Sequence, residues 1–116
     1  MTQKISLLTL SVAATAAVIA ERFVTAAGAY PAAAGNAFGV ATTNAANGEL
    51  FGVDVLGTAV ATAGAAITKG AYVQIGSDGK VVTRAAGVAV GQALQAATAD
   101  GDRIEILLIP NAPSGA

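Results

Sequence analysis

Asp78-Gly79 lies between two apolar runs, residues 71–75 and 80–84, and that arrangement demands a β-hairpin. Asp and Gly tolerate the positive φ angles of a tight turn, and the flanking residues alternate as strands do. Other short apolar runs repeat the pattern. Residues 5–12 carry Ile5, Leu7, Leu8, Leu10 and Val12 with small hydroxyls between them. Over 18–25, Ala favours helix, whereas Val18, Ile19, Phe23, Val24 and Thr25 favour strand, and a strand is expected. Residues 38–42, 49–61, 87–96 and 103–109 read as further strands. Gly28, Pro31 and Gly35 make 26–36 a loop, and Asn47-Gly48 marks a turn. Residues 64–70 have room for one helical turn stopped by Gly70.

The expected fold is therefore mainly β: a small β-barrel or β-sandwich of seven or eight short strands with one short helix. No exact internal repeat is visible. Ala and Gly occupy 44 of the 116 positions, which leaves 33 larger apolar residues, enough for one modest core. Residues 1–116 are accordingly read as a single domain. Residues 1–10 are a candidate N-terminal arm, and 110–116, with Pro110, Pro113 and Gly115, a tail.

Composition removes several function classes. There is no Cys, hence no disulfide, thiolate zinc site or thiol nucleophile. There is no His, hence no Ser-His-Asp triad or imidazole ligand. A net charge of −1 supplies no basic field for nucleic acid. Only 11 % of residues are charged, which points to large surfaces buried against partners.

The remaining candidates for chemistry are sparse. Asp100-Gly101-Asp102 has two calcium-type ligands without the spacing of a calcium loop, and reads as a polar turn. Glu49, Asp54 and Glu105 are scattered carboxylates with no spacing that sets them as a catalytic pair. Residues 35–39 are Gly-rich but lack the lysine of a phosphate loop. Tyr30 and Tyr72 could stack on bases but have no basic surroundings. No catalytic constellation emerges, and neither cofactor nor metal is expected.

Residues 1–20 imitate a secretory signal, with Lys4, an apolar stretch and Val18-Ile19-Ala20 as a small-x-small site. The alternative to a first strand is thus a secreted or periplasmic β-rich adhesive domain, and the intact mass of the expressed chain separates the two. A membrane span is not expected, because Ser6, Thr9, Ser11 and Thr15 break a run shorter than the roughly 20 residues required.

Residues 65–110 resemble the second half of bacteriophage capsid cement, or head decoration, proteins. The resemblance rests on Ala66-Ile67-Thr68-Lys69-Gly70-Ala71-Tyr72-Val73, the 78–83 hairpin, the 87–93 strand with Leu94, and the closing 101–107 segment. It implies a non-enzymatic virion protein on the outer surface of the head. Its partner would be the major capsid protein, and its state a homo-oligomer, a trimer by preference. On that reading Leu7, Leu8 and Leu10 are candidate capsid contacts through strand addition. Ala26, Tyr30, Ala33 and Phe38, in or beside the low-charge 26–37 loop, are candidate oligomer or shell contacts.

Overall fold

The longest expected strand, 49–61, becomes the longest strand observed, and the other elements are arranged around it. A computed structural model describes residues 4–109, so the expected tail and the first three residues of the arm lie outside the described residues. The strands are β1 (Ser6–Ala13), β2 (Phe23–Val24), β3 (Gly39–Ala41), β4 (Leu50–Thr62), β5 (Tyr72–Ile75), β6 (Val81–Thr83), β7 (Gly91–Ala93) and β8 (Arg103–Leu108). The start of β4 pairs with both β1 and β3, and its end pairs with β8. Seven strands follow in the order β2-β3-β4-β8-β7-β5-β6, while β1 joins β4 off this path. The two ends of the path meet. Phe23 N–H donates to the Gly79 carbonyl at 2.9 Å, and Ala63 bridges Val81. The result is an all-β, nearly closed antiparallel barrel.

The hairpin forms as expected: Asp78 (φ 54°) and Gly79 (φ 73°) turn the chain between β5 and β6. The expected helix does not, and no helix occurs among the described residues. Ile67 instead exchanges both backbone hydrogen bonds with Ala97 at 2.9 Å. A seven-residue segment bounded by glycines cannot offset helix nucleation, whereas burying Ile67 can hold an extended bridge. The expected 18–25 strand contracts for a similar reason. Val18 bridges Ala45, the positive φ of Glu21 breaks the run, and only Phe23–Val24 remain as strand.

The structure also contains a repeat. β1 through the start of β4 matches the end of β4 through β8, one hydrogen bond at a time. Ala14 N–H donates to Glu49 O, as Ala63 N–H does to Asp102 O. Gly48 donates to Ala14, as Gly101 does to Ala63. Phe38 donates to Val24, as Val90 does to Val73. Val18 exchanges bonds with Ala45, as Ile67 does with Ala97. Glu21 and Gly70, both at positive φ, donate to Ala41 and Ala93. β6 has no strand counterpart in the first repeat.

The cores match as well. Val12, Ala14, Val18, Val24, Ala41, Ala45, Phe51 and Val53 form one buried cluster. Their counterparts Ala61, Ala63, Ile67, Val73, Ala93, Ala97, Ile104 and Ile106 all fall in the other. Strand β4 is common to both repeats, closing the first and opening the second.

Gly57 marks the changeover within β4. Its φ is 96°, and a Cβ there would strike the Ile5 carbonyl. Gly57→Ala is therefore expected to destabilise the fold by at least about 1–3 kcal/mol, read from the midpoint of chemical denaturation.

Candidate functional site

The two faces of the β1–β4 ribbon differ in chemistry. On one face the register pairs Val12 with Phe51, Leu10 with Val53, and Leu8 with Leu56. Val12 is buried, but Leu10 is 39 % exposed and Leu8 45 %. Leu7, at a shift in the register, is 69 % exposed. Ile5 and Leu56 are also exposed, as is Leu107 on β8 opposite Thr58. The Thr58 hydroxyl in turn accepts the Ile5 N–H at 2.6 Å. Full burial of one such aliphatic is worth roughly 1.5–3 kcal/mol, so covering several is a substantial driving force for association.

The opposite face anchors β1. Asp54 is buried beneath it and accepts hydrogen bonds from Lys4 Nζ (2.9 Å), Ser6 Oγ (2.9 Å) and Thr9 Oγ1 (2.7 Å). All three donors belong to the N-terminal segment, so one carboxylate fixes the strand that presents the leucines. Burial alone would push the Asp54 carboxyl up. The hydrogen bonds from Lys4, Thr9 and Ser6, with the charge of Lys4, outweigh that and hold its pKa below 3.8. In sequence Asp54 is one of three scattered carboxylates. The available signal was an acid between Val53 and Val55 in an apolar strand, since a buried charge requires partners.

The other sequence candidates are not assembled into one site. Ala26 and Ala33 are exposed, and Phe38 is 36 % exposed. Tyr30 is half-buried: its hydroxyl accepts the Ile19 N–H at 2.9 Å, and Arg22 lies over its ring at 5.9 Å. Glu49 caps the Ala46 N–H, while Glu105 stands opposite Val60. Asp102 accepts the Thr98 N–H, the Thr98 hydroxyl and the Ala99 N–H, which hold its carboxyl below the usual range. Asp100 pairs with Lys80 at 3.1 Å. The Asp100-Gly101-Asp102 stretch is thus a turn with its carboxylates already engaged. Among the described residues, no group of three His, Cys, Asp or Glu side chains could hold a metal ion, and no helix is long and apolar enough to cross a membrane.

The phage cement protein family matches residues 2–108. The chain belongs to that family. As a cement protein it is a structural, non-enzymatic component of a phage head. A structural similarity extends to the head fiber gp8.5 N base of bacteriophage phi29, at a TM-score of 0.74 and 22 % identity over 88 % of this chain and 93 % of that one. No curated protein sequence matches the cement protein. The stretch that imitates a secretory signal lies almost wholly inside the family match, and it contains β1, the partner of β4.

The Asp54 anchor has a definite pH dependence. A carboxylate with a lowered folded pKa contributes stability that is fully present above its unfolded value, 3.8, and lost as pH falls through the folded value. Asp54→Ala is expected to cost about 1–3 kcal/mol near neutral pH, because Lys4, Ser6 and Thr9 lose a charged acceptor and β1 its anchor. The stability gap between wild type and Asp54→Asn should narrow below about pH 4 in denaturant titrations. A gap that is constant down to about pH 2 would show that Asp54 does not hold β1 by its charge.

Proposed function

We propose that this cement protein binds the outer surface of the assembled head as a homo-oligomer, with three copies the preferred state, and ties neighbouring major capsid subunits together. The observation that carries the reading is the exposed aliphatic surface of β1, held in fixed geometry by Asp54 on a member of the cement family. A rigid apolar strand loses little conformational entropy when a partner covers it. Leu7, Leu8 and Leu10 on β1, with Ala26, Ala33 and Phe38 in and beside the loop, are the surfaces that the assembled particle covers. Tyr30 supports that loop from beneath through its hydroxyl and ring.

The mechanism needs no reaction and no cofactor. Each contact with the shell is modest, but several copies joined in one body make the second and third contacts effectively intramolecular. A ligand that binds only the assembled shell stabilises it by mass action. The protein is made in the host cytoplasm and ends on the virion surface.

The test uses purified heads lacking the protein. The chain should sediment with assembled heads, ignore unassembled capsid subunits, and raise the temperature at which heads disassemble. Equal binding to free subunits, or binding with no change in head stability, would refute the clamping role.

A further inference from the structure

The two repeats share their inner cores but differ outside. In the first repeat Phe23, Val40 and Asp54 form a row in register across β2, β3 and β4. All three are buried, and Phe23 and Val40 belong to the core cluster of the second repeat. The outer row of one repeat therefore plugs the interior of the next. The matching row of the second repeat is Tyr72, Gln92 and Leu107, in register across β5, β7 and β8. Here Tyr72 is 52 % exposed and Leu107 41 %.

The mouths show the complementary difference. Ala59 and Val90 sit in the cluster that receives Phe23 and Val40, and are 0 % and 2 % exposed. Their counterparts in the first repeat are Leu10 and Phe38, at 39 % and 36 %. Among the described residues the chain thus carries one completed junction and the two unused halves of another: an uncharged row, with Tyr72 and Leu107 at its ends, that plugs nothing, and an apolar mouth that nothing plugs.

We propose that a second copy of the chain supplies the missing half. The Tyr72–Gln92–Leu107 row of one copy packs into the Leu10–Phe38 mouth of the next, repeating between chains the junction that joins the repeats within one. A copy is the occupant because the molecule already buries one such row in one such mouth, and neither unused half carries a formal charge among these residues. The contact is head to tail, so successive copies add with the same polarity and close into a ring where the rotation permits. It deepens the reading of the protein as a homo-oligomer and rests on it. Leu10 and Phe38 then face another copy, which leaves Leu7, Leu8, Ala26 and Ala33 for the shell.

The test is run without heads, so that it fails separately from shell binding. Wild type should sediment at a multiple of 11.2 kDa, while Leu10→Asp and Tyr72→Asp should each fall to the single-chain mass. Mixed in equal amounts, the two variants should form a two-chain complex, because each retains the half that the other lacks. Circular dichroism and melting check that both variants fold. Should either unfold, Leu10→Cys in one chain and Tyr72→Cys in another replace them, since the protein has no cysteine of its own, and oxidation should link the mixture covalently. A single-chain wild type, variants that keep the wild-type mass, a folded mixture that stays monomeric, or absence of the cross-link would overturn the proposal. So would a Leu10→Asp protein that remains oligomeric but no longer binds heads, which would assign Leu10 to the shell.

Discussion

Everything in this molecule depends on one strand serving two closures. β4 completes the first repeat by pairing with β1 and β3, then opens the second by pairing with β8. A strand that does both must change its pairing partner part-way, and Gly57 is where it does so, at a φ that side chains disfavour. With two linked repeats, each needs only a small interior of its own. The larger apolar residues that are buried are therefore divided between two clusters, and the second interior is completed by Phe23 and Val40 from the first repeat. A chain this poor in large side chains gains stability from a junction that lets one repeat fill the other.

Charge is used sparingly and locally. Lys4 is held on Asp54, Lys80 on Asp100, and Arg103 on Glu21 at 2.6 Å, the last joining the two repeats across the β4 junction. Glu49 and Asp102 occupy equivalent turns and cap equivalent N–H groups, those of Ala46 and Ala99. The exposed pairs contribute little to stability by themselves. The buried Asp54 differs, because losing its partners would strand a charge under β1. Few charges remain for the face of β1 turned away from Asp54, so that face is left to leucines.

Much of the fold was legible in sequence. Asp78-Gly79 fixed its hairpin, 49–61 marked β4, and 103–109 marked β8, because turn chemistry and alternation are local signals. The family resemblance in 65–110 reached the correct family for the same reason, since its motifs are turns and alternating strands. The apolar strand β1 was legible, but not its anchor, because the register that brings Thr9 opposite Asp54 is non-local. The repeat was hidden by composition. Its repeated positions are Gly39 and Gly91, Ala41 and Ala93, Ala45 and Ala97, Gly48 and Gly101, and in a chain that is over one-third Ala and Gly such matches carry almost no information. The larger core positions exchange residue for residue, Val12 for Ala61, Val18 for Ile67 and Phe51 for Ile104, with only burial in common.

That pattern of retention and exchange separates positions that the backbone fixes from positions that side chains are free to fill. Gly39 and Gly91 are retained where a Cβ would meet the backbone of the neighbouring strand, at Asp54 and Leu107 respectively. Backbone approach fixes these positions in both repeats, and substitution is confined to side chains pointing into a core or outward. The outward row is where the repeats diverge most: Phe23, Val40 and Asp54 against Tyr72, Gln92 and Leu107. Two of the changes suit an exposed position. Tyr keeps an aromatic ring while adding a hydroxyl, and Gln replaces an aliphatic with an amide. Leu replaces an acid that the first repeat can bury only because Lys4, Ser6 and Thr9 lie above it. Thr58, the counterpart of Thr9, stands opposite Leu107, but no lysine does, so a carboxylate there would lack its charged partner. The second repeat thus keeps the shape of the first while changing the chemistry of this row from a buried junction to an exposed surface that mixes a phenol, an amide and an aliphatic side chain.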